Sequence, residues 1–216
     1  MRQRGWMFIV AAMFLSLFAT SASGESGTGG ISLSAALVPI GAGDAGQDSG
    51  WLNNNAPKQN DAFDTGWGVR IEPYYDFTSL VRGQFGVAYN EWGGKTFNRV
   101  TFEDLKITTY YVGVKIRFRP NTNIRPYVVS DIGVANIGGV KVSGPGVPAG
   151  RSQYWESTTT AFFDIGGGVE FNVAPKVSFF LDMRVQATGE PNSPFPSGES
   201  AGIGSIPISA GVNFTF

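Results

Sequence analysis

The chain has 216 residues, of which 13% are aromatic, 15% are charged and 30 are glycine, and its formal net charge is −1. This length allows one domain or two very small ones, and the near-neutral charge gives no reason to expect nucleic acid as a partner. Cysteine and histidine are absent, which excludes disulfides, thiol chemistry and a lipid-anchored N-terminal cysteine, and removes the imidazole base from any candidate mechanism.

The N-terminus has the organisation of a secretory signal peptide. Two arginines precede the apolar run Trp6–Phe18, and a stretch of small residues follows it. A membrane anchor is the alternative, but a helix that spans a bilayer needs about 20 apolar residues and this run is shorter. We therefore predict a signal peptide at residues 1–23 and a mature domain at residues 24–216.

In the rest of the chain, apolar and polar residues alternate with a period of two in eight segments. The fourth segment is the clearest, since Val112, Val114 and Ile116 alternate with Lys115 and Arg117. Such alternation predicts strands with one apolar and one polar face. The predicted strands are Ile31–Ile40, Thr65–Phe77, Leu80–Glu91, Leu105–Arg119, Ile124–Ile137, Thr158–Asn172, Lys176–Ala187 and Ile206–Phe216.

Short and long connections alternate between these strands. Tight turns are predicted at Thr78–Ser79, Pro120–Asn123 and Val173–Pro175, and the long connections are residues 41–63, 92–104, 138–157 and 188–203. This rhythm predicts an all-β fold: an eight-stranded antiparallel up-and-down transmembrane β-barrel with every long loop at one end. Strands of about ten residues cross a bilayer when tilted, and closure satisfies every backbone group inside the lipid.

Alternation alone does not decide which face of the strands lies outside, because a soluble lipocalin-like barrel would enclose its apolar residues around a ligand. Two features favour a lipid-facing apolar surface. Many charged residues occupy the opposite face at mid-strand, and aromatic residues gather towards both strand ends. Phe77 and Phe118 lie near the short turns, whereas Trp67, Tyr89 and Tyr110 lie towards the long loops. The sequence therefore predicts a membrane barrel.

Three stretches carry a resemblance to a known family: Arg125–Val129, Asp164–Glu170 and Phe214–Phe216, where the last strand ends on an aromatic residue. Together with the eight strands, they resemble the small outer-membrane barrel superfamily that includes OmpA barrel domains, OmpX, NspA and opacity proteins. The resemblance implies a location in the bacterial outer membrane and contact with outer-membrane lipid and lipopolysaccharide. It also implies recognition by the barrel-assembly machinery through the C-terminal strand ending in Phe216. We expect a monomer without a cofactor.

Ten charged residues on the polar faces are predicted to point into the barrel. They are Arg70, Glu72, Arg82, Lys115, Arg117, Asp131, Asp164, Glu170, Asp182 and Arg184, five positive and five negative. The interior of an eight-stranded barrel is just wide enough for side chains to fill it, and an unpaired charge would be costly there. Small residues such as Ser32 and Gly211 leave room for the long cationic side chains. We therefore predict a lumen closed by an ion-pair network.

Other candidate sites have simpler explanations. The long loops contain acidic residues such as Asp61 and Glu103, but no loop with the alternating oxygen ligands of a calcium site, so we predict solvated loops and no metal. Gly166–Gly168 lies within a strand, which suggests room for interior side chains and not a phosphate-binding loop. Trp51 and Asn53–Asn55 fit either a receptor- or glycan-binding tip or a polar loop.

Two functions remain open for this chain, and a third, catalysis, is disfavoured. Barrel-embedded enzymes resemble one another in needing an active-site histidine, which this chain lacks, so a carboxylate pair is the remaining option for acid–base catalysis. We predict no catalytic residue. The first function is that of a closed barrel acting through its four extracellular loops in envelope structure, adhesion or surface interaction. The alternative is a channel or transporter for a small or apolar solute.

Overall fold

The structure is a computed structural model that describes residues 27–43, 45, 57–119, 122–147, 149–193 and 201–216. The predicted signal peptide and the segment with Trp51 and Asn53–Asn55 lie outside these residues. Within them the chain forms a closed antiparallel barrel, which confirms the predicted fold class.

The described residues form thirteen strands and one short helix, α1 (Gln59–Ala62). In chain order the strands are β1 (Thr28–Val38), β2 (Gly66–Asp76), β3 (Val81–Trp92), β4 (Thr96–Phe97), β5 (Val100–Phe102), β6 (Leu105–Arg117), β7 (Ile124–Ile137), β8 (Val140–Ser143), β9 (Gln153–Trp155), β10 (Thr158–Ala174), β11 (Val177–Thr188), β12 (Gly204–Ser205) and β13 (Ile208–Thr215).

Eight of these strands form the barrel wall, in the order β1, β2, β3, β6, β7, β10, β11 and β13. The barrel closes where β13 pairs antiparallel with β1, with Ile31 opposite Phe214 and Leu37 opposite Ile208. Each wall strand therefore has two neighbours, and the backbone groups of the wall bond to one another instead of facing lipid.

The predicted inside and outside faces are confirmed along the wall. Apolar side chains such as Leu37, Ile132 and Leu181 are exposed on the outer surface, whereas the charged residues that alternate with them are buried. Aromatic pairs flank this apolar band. The ring centres of Trp67 and Tyr89 lie 5.8 Å apart, and those of Tyr75 and Phe77, at the opposite end of β2, lie 5.3 Å apart. Among the described residues, no helix is long and apolar enough to cross a membrane.

Proline explains two boundaries that differ from the prediction. β1 ends at Val38 and not at Ile40, because Pro39 has no backbone N–H to continue the ladder. The last predicted strand, Ile206–Phe216, starts two residues later than predicted for the same reason: β13 begins at Ile208, directly after Pro207.

The long connections 92–104 and 138–157 were predicted to be loops, and the structure corrects this. β4, β5, β8 and β9 form a separate four-stranded sheet, in which Thr101 of β5 lies opposite Ser143 of β8. We call this sheet together with α1 the loop-end cap, and we call the opposite end of the barrel, with its short connections, the turn end. The strands of this sheet are only two to four residues long, and Val140–Ser143 is the longest.

Candidate functional site

All ten charged residues predicted to face the lumen are buried, and nine of them belong to two groups along the barrel, whereas Lys115 belongs to neither. The first group, the central cluster, consists of Arg70, Glu72, Asp131, Asp164, Asp182 and Arg184. Its members come from strands β2, β7, β10 and β11, whose alternation points every second side chain inward.

Arg184 is the hub of the central cluster. Its Nη1 lies 2.6 Å from Asp131 Oδ2 and 3.5 Å from Asp164 Oδ2. Its Nη2 lies 3.0 Å from Asp182 Oδ2 and 3.3 Å from Glu72 Oε1. A planar guanidinium with five donors can serve several carboxylates at once, which an ammonium group at this position could do less well.

The second arginine of the central cluster makes longer contacts. Arg70 Nη1 lies 3.6 Å from Glu72 Oε1, and its Nη2 lies 3.8 Å from Asp164 Oδ2. Neutral groups add to the carboxylate contacts: Tyr111 donates to Glu72 Oε1 at 2.9 Å, and Gln84 donates to Asp131 Oδ1 at 2.8 Å. The cluster therefore combines two arginines, four carboxylates and uncharged donors.

Glycines make room for these long side chains. A Cβ atom at Gly168 would lie 2.7 Å from Asp182 Cβ and 2.8 Å from the Tyr127 ring, and at Gly86 it would overlap the Tyr111 ring. This geometry matches the interpretation of Gly166–Gly168 as a place where interior side chains come close to the wall.

The second group, the turn-end cluster, consists of Asp76, Arg82, Arg117, Arg125 and Glu170. Asp76 pairs with two arginines. Its Oδ1 lies 2.7 Å from Arg82 Nε and 2.9 Å from Arg117 Nη2. Glu170 is less closely engaged, since its oxygens lie 4.0 Å from Arg82 Nη1 and 3.8 Å from Arg125 Nη1.

The predicted network omitted Asp76 and Arg125. Asp76 lies on the same polar face of β2 as Glu72, so the alternation that identified Glu72 could also have identified it. Arg125 lies at the start of β7, where its side chain is one-quarter exposed, and no pattern around it indicated a contact with Glu170.

Lys115 was predicted to join the ion pairs, but it lies in an aromatic setting. Its Nζ is 4.4 Å from the centre of the Tyr127 ring and 5.2 Å from that of Phe180. In the described part of the chain, no carboxylate oxygen lies within 4.0 Å of this Nζ, so Lys115 forms no ion pair there. Ring faces attract a desolvated cation, and they offer Lys115 its closest compensation.

Charges are balanced over the whole lumen but separated along its axis. The central cluster has two arginines and four carboxylates, whereas the turn-end cluster has three arginines and two carboxylates, with Lys115 as a further cation. The centre therefore has an excess of negative charge and the turn end an excess of positive charge.

A cavity of about 570 Å³ lies at the turn end, and we call it the vestibule. Its lining includes Asp76, Arg82, Arg117, Arg125, Glu170 and Asn172. Two further cavities, one beside Arg70 and Asn90 and one beside Thr109 and Phe162, are far smaller, about 10 Å³ or less. A large open space therefore lies on the turn-end side of the central cluster.

At the loop end, the lumen is occupied by apolar side chains. One buried cluster extends from Phe102, Val142 and Trp155 of the cap to Tyr111 and Phe162 inside the barrel. The rings of Phe102 and Tyr154 lie 5.0 Å apart in an edge-to-face arrangement. Burial raises the pKa of the Tyr154 phenol, so this side chain stays neutral within the cap.

Two further hydrogen bonds lie at the loop end, one between the wall strands β3 and β1 and one from α1 to the connection before β12. Trp92 Nε1 donates to the carbonyl oxygen of Val38 at 2.7 Å, and Gln59 Nε2 of α1 donates to that of Gly202 at 3.0 Å.

In the described part of the chain, no group of three or more acidic side chains is arranged to hold a metal ion.

Comparison with known proteins places this architecture in a family. The chain matches the family described as outer membrane protein beta-barrel domain over residues 8–214. No curated protein sequence matches the chain closely enough to count as a relative.

Solved structures agree with the fold. Neisserial surface protein A (NspA) is similar with a TM-score of 0.55 and 18% identity, over 89% of this chain and 100% of that protein. The outer-membrane protein AlkL has a TM-score of 0.53 and 14% identity, over 91% of this chain and 93% of that protein. A major outer-membrane protein of Thermus thermophilus has a TM-score of 0.50 and 9% identity, over 87% of this chain and 99% of that protein.

At these identities the solved structures establish the fold alone, while the family match extends over nearly the whole chain. The eight-stranded wall, its apolar outer surface and its charged interior are consistent with that match. The chain belongs to the outer membrane protein beta-barrel domain family and is a protein of the Gram-negative outer membrane.

Proposed function

We propose that the protein is a closed outer-membrane barrel that acts through its loop-end cap, in envelope structure, adhesion or surface interaction, and not by transport. The observation that carries this proposal is the filled loop end of the lumen, where one apolar cluster continues from Trp155 and Phe102 of the cap to Phe162 in the barrel. A solute path would have to pass both this cluster and the central ion pairs.

The central cluster supports a closed lumen for a physical reason. Each ion pair of Arg184 would have to be broken to open a path, and breaking a buried pair without replacing the partner costs about 3–5 kcal/mol. Four carboxylates converge on this one guanidinium, so the barrier to opening is larger than that of a single surface pair.

The cap is the part of the molecule best suited to meet a partner. It is a folded sheet whose buried side chains belong to the apolar cluster that continues into the barrel, so its exposed residues keep a fixed arrangement, which lowers the entropic cost of binding. Exposed side chains of both signs occur there, including Lys58, Arg99, Glu103, Asp104 and Lys141. We propose that the cap faces the exterior, with the short turns and the C-terminal strand in the periplasm.

Other partners follow from membrane insertion. The apolar outer surface would contact outer-membrane lipid and lipopolysaccharide, and the strand that ends at Phe216 would be recognised by the barrel-assembly machinery. We propose a monomer, because closure of the wall satisfies the strand edges without a second chain.

An enzymatic role has less support. The candidate acid–base groups are the buried carboxylates, and Asp131, Asp164 and Asp182 are all engaged with Arg184. Such carboxylates are held by a cation instead of being positioned for proton transfer with a substrate.

Conductance across planar lipid bilayers tests the closed barrel against the channel. We expect no steady current from the purified protein, because the loop end is filled. A general porin, whose wide barrel encloses an aqueous channel, serves as the positive control in the same bilayers. A stable, large conductance of the unmodified protein would exclude the closed lumen, and protein-dependent passage of an apolar solute into liposomes would favour the transporter.

A further inference from the structure

At the turn end, the exposed charged side chains are all of one sign in the part of the chain that the structure describes. The two acidic residues there, Asp76 and Glu170, are buried in the lumen beside the arginines of the turn-end cluster. Arg119 and Lys176 are exposed, and no carboxylate of the described residues lies within ion-pair distance of either side chain. The outside of the turn end therefore carries two cations that no described acidic side chain neutralises.

These two cations belong to neighbouring turns. Arg119 lies in the connection between β6 and β7, and Lys176 lies in the connection between β10 and β11. Strands β7 and β10 are paired, and the backbone N–H of Asn172 donates to the carbonyl oxygen of Asn123 at 2.9 Å. The two turns therefore lie side by side on the rim of the barrel.

The wall next to these turns is apolar and faces lipid. Phe118, directly before Arg119, is exposed, and so are Ile124 and Val173 on the paired strands β7 and β10. Cationic side chains at the ends of membrane-spanning segments reach the headgroup region, where they attract negative charge. A lipid whose acyl chains pack against this part of the wall therefore has its headgroup close to both cations.

The backbone of Arg119 gives a second reason to consider its side chain. Its φ angle is 53°, in the left-handed region that glycine and asparagine adopt most easily. Its carbonyl oxygen accepts from the backbone N–H of Thr122 at 3.2 Å and from the Thr122 hydroxyl at 2.9 Å, which closes the turn. An arginine at a position that favours glycine is consistent with a role for its guanidinium outside the turn.

We propose that the rim at these two turns binds the headgroup of an anionic phospholipid, such as phosphatidylglycerol, in preference to a zwitterionic one. Arg119 and Lys176 attract the phosphate oxygens and donate hydrogen bonds to them, while the acyl chains lie against the apolar wall. A zwitterionic headgroup has no net charge, because its own cation offsets the phosphate, so it gains less from the two side chains. With the short turns in the periplasm, the bound lipid belongs to the inner leaflet of the outer membrane. This site is independent of any role of the cap.

Fluorescence quenching by brominated phospholipids tests this site locally. Ile124→Trp places a reporter on the lipid-facing surface beside the two turns, and the protein without this substitution supplies the background of the native tryptophans. In mixed bilayers, brominated phosphatidylglycerol should occupy the reporter site in preference to brominated phosphatidylcholine by about fivefold or more, as expected for interfacial cations. Equal occupancy by the two lipids overturns the proposal.

Matched double variants separate this site from a general attraction of the protein for anionic lipid. Arg119→Gln combined with Lys176→Gln should abolish the preference at the reporter. Arg99→Gln combined with Lys141→Gln removes the same charge from exposed positions of the cap and should leave the preference unchanged. Heat-modifiable mobility on gels verifies that each variant forms the barrel. A preference that survives the loss of both turn cations, or that disappears equally in the cap variant, overturns the assignment of the headgroup to Arg119 and Lys176.

Discussion

Asp76 and Arg82 face each other on neighbouring strands and are joined by two hydrogen bonds, from Nε to Oδ1 at 2.7 Å and from Nη2 to Oδ2 at 3.1 Å. The Arg82 guanidinium also stacks 3.4 Å from the centre of the Tyr74 ring. Because Arg117 bonds to the same carboxylate from β6, Asp76 connects three adjacent strands inside the lumen.

Replacing Asp76 with alanine should therefore be costly. Two buried arginines would lose their closest carboxylate, and we expect the free energy of unfolding to fall by about 3–5 kcal/mol. Denaturant titration in micelles, followed by tryptophan fluorescence, measures this change. The matched control is Glu103→Ala in the exposed part of the cap region, for which we expect a change within about 0.5 kcal/mol. Equal effects of the two substitutions would contradict the role of Asp76.

Arg184 and Lys115 are both buried cations, and they should respond differently to replacement by methionine. Arg184→Met leaves four carboxylates without their shared partner and should lower the free energy of unfolding by about 3–5 kcal/mol. Lys115→Met removes a cation whose closest contacts are aromatic rings, which pack well against a thioether, so we expect a change of about 1 kcal/mol or less. The same unfolding assay compares them, and a larger loss for Lys115→Met would show that its charge is essential to the lumen.

Two glycines provide a test of packing against the wall. A Cβ atom at Gly86 would overlap the Tyr111 ring, whose hydroxyl donates to Glu72, whereas one at Gly93 would meet no atom within 4 Å. We expect Gly86→Ala to destabilise the barrel by about 1–3 kcal/mol, since an overpacked interior must shift. Gly93→Ala should change stability by about 0.5 kcal/mol at most. Thermal unfolding of both variants, monitored by circular dichroism, separates the effect of overpacking at Gly86 from the general effect of replacing a glycine with alanine.

Phe102 tests whether the cap can unfold while the barrel stays folded. Its ring packs against Phe63 at 6.0 Å and Tyr154 at 5.0 Å, and truncation of a buried phenylalanine costs about 3–5 kcal/mol. We expect Phe102→Ala to make the cap sensitive to limited proteolysis while the barrel keeps its heat-modifiable mobility on gels. Thr101→Ala, on the exposed side of the same strand, is the control and should remain resistant. Loss of the mobility shift in the Phe102 variant would show that the cap is needed for the barrel itself.

Processing and orientation make the fifth prediction. We expect export with removal of residues 1–23, and exposure of the cap on the outside of the cell. N-terminal sequencing of the mature protein tests the first part, and epitope tags inserted at Thr96 in the cap and at Thr78 in a short turn test the second. The tag at Thr96 should be accessible on whole cells and the tag at Thr78 only after lysis; the reverse pattern would invert the assignment.

The sequence by itself determined the wall of this barrel. Period-two alternation is a local property of a strand, so it could identify eight strands, their outward apolar faces and the inward positions of Arg184, Glu72 and Asp131 without knowledge of any partner. The alternation of short turns with long connections then indicated the up-and-down order, because a short turn can join only neighbouring antiparallel strands.

Only the tertiary structure decided which inward residues meet. Alternation assigns a side chain to a face but not to a height along the barrel, which depends on the stagger of all eight strands. For this reason the contact of Arg125 with Glu170 was missed, and Lys115 was expected among carboxylates but lies against Tyr127 and Phe180.

The cap was hidden from the sequence for a related reason. Its strands are two to four residues long, too short for a reliable period, and its core joins segments far apart in the chain, such as Phe63 and Trp155, whose rings lie 5.6 Å apart. Those contacts form only because the closed wall brings the long connections together above one mouth, where burial of their apolar side chains stabilises the sheet.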